Sequence, residues 1–159
     1  MDYISSLAYS IDNPLIKGLS LIIDNYFAYG TMVLVLVLYS QKREQDRVKL
    51  LASIVLTMLI VGFAKDFFGV ARPCFGVVSC PPWYSFPSMH AAIAFCIMAA
   101  NMNKKEYWIY FLFAVIVSFS RMNIGAHTFT DIAGAIPIAL ISYYSVDFAY
   151  RQKEAKKNG

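Results

Sequence analysis

Residues 50–65, LLASIVLTMLIVGFAK, contain no charged side chain before the final lysine. A run of this kind is typical of a helix in a lipid bilayer, although it falls short of the ~20 residues that a straight span needs. Hydrocarbon offers no hydrogen-bond partners to backbone groups, so we expect helices wherever such runs occur. Four more apolar segments accompany it, at 19–39, 88–100, 107–120 and 132–150. Together they predict an all-α transmembrane bundle of about five spans.

The overall composition supports a membrane assignment. Of the 159 residues, 58% are hydrophobic and 15% are charged, and the mean hydropathy is +0.53, which is unusual for a soluble domain. No linker or repeat divides the chain, so we expect one membrane-embedded domain over 1–159 with its core at about 50–150. Residues 4–15 predict an N-terminal helix in the outer interface. The first residues lack the basic region of a signal peptide, and we expect them to be retained.

The basic residues indicate the orientation of the chain. Ten of the 14 Lys and Arg residues lie within 42–49, 104–105 and 151–157, which five spans place on one side. Because Lys and Arg collect in cytoplasmic loops, this side and the C-terminus are predicted to be cytoplasmic, in a multi-pass protein of the plasma membrane. This distribution also accounts for the net charge of +4 without a nucleic-acid partner. Asp24, early in the first segment, is interpreted as an interfacial residue.

Three cations lie on the opposite side, against this bias: Lys65, Arg72 and Arg121. Cations beside apolar segments are costly unless they meet an anion, so they indicate a phosphate or carboxylate pocket. The alternative for each one alone is that its head group reaches the interface while its stem stays in the apolar layer. The clustering of three favours the pocket.

The stretch from Pro87 to His90 predicts the start of a helix, with Ser88 as the N-cap. The free N–H groups of Met89 and His90 would then point outward and could hold an anion. The ordinary interpretation of a histidine at this place is a capping or packing residue.

His127 and Asp131 are four residues apart and so share one face of a helical turn. If Asp131 accepts the proton on Nδ1 of His127, the Nε2 atom is free to attack phosphorus. His90 is then available as the general acid for the leaving oxygen. The three cations and Ser88 would bind the charged equatorial oxygens of a phosphoryl group without a metal. For the His/Asp pair alone, the simpler interpretation is a contact on a helix surface.

The three motifs, Lys-x6-Arg-Pro, Pro-Ser-x-His and Ser-Arg-x5-His-x3-Asp, resemble the signature of the type-2 phosphatidic acid phosphatase superfamily. This superfamily includes lipid phosphate phosphatases and vanadium haloperoxidases, and the resemblance covers roughly 50–150. It implies a nucleophile, an acid, an orienting carboxylate and phosphate ligands at matching positions. By this resemblance His127 is the nucleophile, His90 is the acid and Asp131 is the orienting carboxylate. The phosphate ligands are Lys65, Arg72, Ser88, the Met89 amide and Arg121.

The chain departs from the family pattern in two ways. Met89 stands where the family commonly has glycine, so the amide is kept but a side chain is added beside the pocket. Membrane members generally have six spans, whereas five segments and an interfacial helix are found here.

The cysteines do not indicate a zinc site, because Cys74 and Cys80 have no histidine at ligand spacing. Both lie in the loop predicted to be extracytoplasmic, where disulfides persist, so we expect them to be bonded rather than free. Cys96 is interpreted as a small buried hydrophobe. No metal or other cofactor is predicted.

The short segment 88–100 would place the catalytic end at or just below the outer headgroup plane, where a membrane lipid can present its phosphate. Polyprenyl diphosphate ranks first by resemblance to small microbial members, followed by phosphatidylglycerol phosphate and phosphatidic acid. Two alternatives remain open: a lipid phosphotransferase using the same phosphohistidine, and a non-catalytic protein that binds anionic lipid. The sequence does not indicate an oligomeric state.

Overall fold

The computed structural model describes residues 2–74 and 82–158 of the chain, and within them the regular structure is entirely helical. The predicted all-α class is confirmed. Seven helices are found in the described part of the chain: α1 (Tyr3–Ser10), α2 (Pro14–Asp24), α3 (Tyr26–Ser40), α4 (Glu44–Phe68), α5 (Met89–Ala99), α6 (Tyr107–Asn123) and α7 (Phe129–Asn158).

The short helix α5 is the centre of the bundle. Its sequence, MHAAIAFCIMA, is apolar on every side, and all but two of its residues are buried. It contacts α3, α4, α6 and α7, and a helix that is hydrophobic all round is expected to be enclosed in this way. The other helices expose many large apolar side chains, which is the surface that a bilayer would cover.

The segment predicted as one span over 19–39 is two helices. Asn25 separates them by acting as the N-cap of α3, where its side chain accepts hydrogen bonds from the N–H groups of Phe27 and Ala28 at 3.1 Å. The axes of α2 and α3 differ by 80°. The capping residue was present in the sequence, but the apolar residues on both sides of it concealed the break.

Helices α4 and α7 are long and apolar enough to cross a membrane, and the bent pair of α2 and α3 would make a third crossing. The count of about five spans therefore stays a prediction. The N-terminal helix begins where we expected but ends at Ser10, several residues before the predicted end.

A partly buried ion pair joins α4 to α7 far from the three motifs. Lys49 Nζ lies 2.7 Å from Asp147 Oδ1, and Arg151 contacts the same carboxylate at 2.8 Å. Lys49 and Lys65 are separated by about 24 Å along α4 at 1.5 Å per residue. The basic end of the bundle and the end with the three motifs are thus opposite ends.

The loop before α5 is held between α4 and α7 by Phe86. Its ring packs edge-on against Phe68, with centroids 5.1 Å apart, and its other neighbour is Gly134 of α7. A β-carbon at Gly134 would overlap Cε2 and Cζ of that ring. The glycine is therefore required by close packing, and it sets the height at which the loop crosses α7.

We expect Gly134→Ala to destabilise the protein by roughly 1–3 kcal/mol, since overpacking forces the ring or the helix to move. The matched control is Gly62→Ala in α4, where an added β-carbon meets nothing within 4 Å; it should be neutral or stabilising by up to about 1 kcal/mol. Thermal unfolding in detergent measures both. Equal midpoints for the two variants would contradict the packing role of Gly134.

Candidate active site

Lys65 lies in the last turn of α4, which ends at Gly69 in the left-handed conformation, φ 59°. Its ammonium group donates to the carbonyl oxygens of Tyr84 at 2.7 Å and Ser85 at 2.9 Å. The side chain is 9% exposed. Two neutral carbonyl oxygens therefore orient the ammonium group. Among the described residues, no carboxylate lies within ion-pair distance of Lys65 to balance its positive charge.

Arg72 joins the first motif to the third. Its Nε atom donates to Trp83 O at 2.9 Å, and Nη1 lies 3.2 Å from Ala126 O and 3.2 Å from His127 Nε2. The guanidinium is thus held beside the predicted nucleophile by backbone oxygens. Residues 55 positions apart in the chain meet here.

His127 lies in the turn between α6 and α7. Gly125, at φ 71°, permits that turn, and the N–H groups of Ala126 and His127 both donate to Arg121 O. Arg121 is thereby linked to the same turn by its own backbone. The local fold brings the last turn of α6 and the predicted nucleophile together.

The side chain of Asp131 contacts that of His127, as the spacing predicted. Its Oδ2 atom accepts from His127 Nδ1 at 3.1 Å and from Thr128 N at 2.8 Å. A third donor, the hydroxyl of Ser85, bonds to the same oxygen. Both members of the His/Asp pair are 2% exposed, so the interpretation as a contact on a helix surface is wrong.

The contact with Arg72 determines which nitrogen of neutral His127 carries the proton. A guanidinium has only donors, so Nε2 must accept from it with its lone pair. The proton is then on Nδ1, facing Asp131. This is the tautomer that a nucleophilic Nε2 requires.

Helix α5 begins at Met89 with Ser88 as the N-cap, as predicted, but the Ser88 side chain makes no capping hydrogen bond. Instead, Ser88 N donates to Asp131 O at 3.1 Å, which brings the second motif against the third. Three buried polar atoms in the described part of the chain have no partner: Ser88 Oγ, His90 Nε2 and Arg121 Nε. Buried polar atoms are normally satisfied, and the oxygens of a bound anion would supply partners for all three.

A cavity of about 510 Å³ contains most of these groups. One part of its wall is charged or titratable, and another part is apolar and is formed by α3, α4 and α5. The polar residues are Asp24, Lys65, Arg72, His90, Arg121 and His127, and the apolar ones are Gly30, Val33, Ile54, Met58, Met89 and Ile93. Met89 thus lines the cavity, where the family commonly has no side chain.

Sequence reasoning missed three residues of the site. Ser85 bonds to Asp131, Tyr29 donates from its hydroxyl to His90 O at 2.7 Å, and Asp24 pairs with Arg121 at 2.6 Å. The interpretation of Asp24 as a plain interfacial residue is therefore wrong. None of the three has a local pattern that would reveal it, because each partner is at least 46 residues away.

The described residues test the cysteine and metal predictions only in part. Cys74 is disulfide-bonded, whereas Cys80 lies outside the described residues, so their pairing stays a prediction. Cys96 is a free, buried thiol, as expected. Within residues 2–74 and 82–158, no three His, Cys, Asp or Glu side chains are grouped as metal ligands, and metal independence stays a prediction.

Comparison with known proteins identifies a family match and two similar folds. The family model described as PAP2 superfamily matches residues 46–156. The fold resembles the crystal structure of Aquifex aeolicus LpxE, with a TM-score of 0.74, 21% identity, and coverage of 90% of this chain and 92% of that one. It also resembles a transmembrane PAP2-type phosphatidylglycerolphosphate phosphatase from Bacillus subtilis, with a TM-score of 0.74, 21% identity, and coverage of 94% and 83%. No curated protein sequence matches the chain.

Burial, together with the positive charges of Arg121 and Arg72, lowers the pKa of His127 to about 4, although the hydrogen bond with Asp131 acts to raise it. A lowered pKa means that the ring takes up a proton only at acid pH and stays neutral at pH 5 and above. The chain has 2 histidines, so in His90→Gln the imidazole of His127 is observed alone. We expect ¹⁵N NMR of that variant to show an Nδ1–H tautomer throughout pH 5–8. A titration midpoint near 6.5 would contradict this environment.

Proposed function

The chain belongs to the PAP2 superfamily, and from this premise we propose that it is a membrane phosphatase that hydrolyses a phosphate ester or anhydride of a lipid through a phosphohistidine intermediate. His127 is the nucleophile, Asp131 orients it, and His90 is the general acid. Lys65, Arg72, Arg121, Ser88 and the Met89 amide bind the phosphoryl oxygens. No metal takes part.

The observation that carries this proposal is the line of contacts from Arg72 through His127 to Asp131. A binding protein needs cations for an anionic headgroup, but it has little use for a buried imidazole with a carboxylate behind it and a lone pair in front. The three unpartnered atoms, Ser88 Oγ, His90 Nε2 and Arg121 Nε, favour a phosphate as the missing partner. Together these features favour catalysis over the non-catalytic alternative.

The first step follows from these contacts. A phosphate oxygen is a better acceptor for Arg72 than a neutral imidazole, because both partners are then charged. Binding would therefore draw the guanidinium away from His127 and free Nε2. Nε2 attacks phosphorus, the bond from phosphorus to the leaving oxygen breaks, and His90 gives that oxygen a proton.

The second step uses the same groups in reverse. His90, now neutral, takes a proton from water as the water attacks phosphohistidine, and orthophosphate leaves with Nε2 restored. An alcohol in place of water would make the protein a phosphotransferase. Hydrolysis is placed first because water needs no acceptor site of its own.

The apolar wall of the cavity favours a lipid over a soluble ester. Ile54 is 11 residues before Lys65 on α4, so apolar lining extends about 16 Å from the cations. Polyprenyl diphosphate remains the first candidate substrate, and phosphatidylglycerol phosphate and phosphatidic acid follow. A phosphatidylglycerolphosphate phosphatase among the similar folds keeps the second candidate open.

We also propose that the site faces the extracytoplasmic side of the plasma membrane and the C-terminus faces the cytoplasm. The support is the distribution of basic residues. Lys49, Lys104 and Arg151 contact the residues at one end of the bundle, whereas His127 and Asp131 are at the other. Positive residues favour the cytoplasmic side.

A screen of purified protein in detergent tests the function. We expect phosphate release from lipid phosphates or diphosphates, undiminished by excess EDTA and inhibited by vanadate, with soluble esters as poor substrates. Loss of activity on chelation and recovery with Mg²⁺ would contradict the metal-free site. Transfer of label to an added alcohol in preference to water would favour the phosphotransferase.

Substitution of the two histidines should impair different steps of the reaction. His127→Ala should form no covalent phosphoenzyme, because no other nucleophile among the described residues of the cavity wall is oriented by a carboxylate. His90→Ala keeps the nucleophile, so its rate should fall by roughly 10²- to 10⁴-fold for lipid alkoxide leaving groups and much less for activated esters that need no proton. Diphosphates should be intermediate.

Rapid quench with labelled substrate, under conditions that preserve acid-labile phosphohistidine, measures both variants. Wild-type levels of label in His127→Ala would assign the nucleophile elsewhere. An equal loss for good and poor leaving groups in His90→Ala would remove its role as the acid.

A further inference from the structure

Asp24 is the one carboxylate among the described residues that line the cavity. It ends α2, just before the 80° break that Asn25 caps. Its Oδ1 atom lies 2.6 Å from Arg121 Nη1. A carboxylate beside a phosphate site is unfavourable for an anionic ligand, so its presence requires an explanation.

The three cations of the site are held in different ways. Lys65 and Arg72 are oriented by backbone carbonyls, which carry no net charge, so both keep their full attraction for an anion. Arg121 is instead paired with a charged partner. The unliganded site therefore has two available cations and a third whose charge Asp24 neutralises.

The exposure of the pair indicates which member is fixed. The side chain of Arg121 is 4% exposed and that of Asp24 is 44% exposed. Arg121 also has a buried Nε atom without a partner, so its donors are not all used by Asp24. A phosphate can reach the guanidinium while Asp24 turns toward solvent or stays in contact with Nη1.

We propose that Asp24 is a resident counter-anion that competes with the phosphate of substrate and product for Arg121, and so limits how tightly the site holds phosphate. This inference rests on the proposed function, since it concerns the same phosphate site. For a hydrolase this helps product release. Orthophosphate carries two negative charges, and a third available cation would hold it in the site. Asp24 returns to Arg121 as the product departs.

Asp24→Asn tests the proposal, because the amide oxygen can still accept from Arg121 while the negative charge is lost. We expect orthophosphate and vanadate to bind roughly three- to tenfold more tightly, the range expected when a partly exposed charge is removed a few ångströms from an anion. Inhibition by orthophosphate should strengthen by the same factor. Binding to the purified protein in detergent is measured by calorimetry, and inhibition from the rate of lipid phosphate hydrolysis.

The matched control is Asp66→Asn, which makes the same change in net charge at an exposed residue outside the cavity wall; its phosphate affinity should equal that of the wild type. Asp24→Ala removes both the charge and the acceptor that compete for Arg121, so it should tighten binding at least as much as Asp24→Asn does. If it unfolds, Asp24→Asn alone decides the question.

Unchanged or weaker phosphate binding in Asp24→Asn would overturn the proposal and make Asp24 a positioning residue for Arg121. Equal tightening in Asp66→Asn would also overturn it, since the effect would then be one of net charge. Binding of orthophosphate needs no turnover. A wild-type protein that binds phosphate but releases none from any lipid would refute the proposed function while Asp24 is still tested.

Discussion

The site depends on the hydrogen bonds that the buried carboxylate of Asp131 accepts. Asp131 lies in the first turn of α7, and one of its oxygens receives hydrogen bonds from the loop before α5 through Ser85 and from the turn after α6 through His127 and Thr128. Its backbone carbonyl also accepts from Ser88 N. A carboxylate with 2% exposure is costly to bury unless such donors surround it. The burial therefore requires that all three segments come together, and this places His127, Asp131 and the start of α5 side by side.

The cations face the opposite problem, because a positive charge in an apolar bundle is stable only with partners. The chain orients Lys65 and Arg72 with backbone carbonyls of residues 83–85 and 126. These interactions fix the positions of the charges without cancelling them. A site built in this way is electrostatically incomplete until an anion arrives, which is the preorganisation that phosphoryl transfer requires. The pairing of the third cation, Arg121, with Asp24 changes the strength of that attraction rather than its direction.

The sequence allowed prediction of what depends on short spacings. His127 and Asp131 share a helical face by their separation alone, Ser88 has the residue type of an N-cap, and both positions agree with the structure. The partners that the sequence concealed are distant in the chain. Asp24 meets Arg121 across 97 positions, and Tyr29 reaches His90 across 61. Nothing in the residues around them predicts such contacts, because packing of α2 and α3 against α5 and α6 creates them. The break at Asn25 was hidden for the opposite reason, since hydrophobicity averaged over a segment outweighs one polar cap.

The N-terminal helices have a structural role that follows from where they are attached. Ser5 Oγ accepts from Phe129 N at 2.7 Å, at the start of α7. Asn123, at the end of α6, donates to Ala8 O at 2.9 Å and to Ile11 O at 3.0 Å. These bonds fasten α1 to the two helix ends on either side of His127. Since α1 exposes Tyr3 and Leu7, its apolar side chains are available to a lipid interface. If α1 lies in the interface, as the sequence predicts, its depth there would also fix the depth of His127, although α1 contributes no residue to the wall of the cavity.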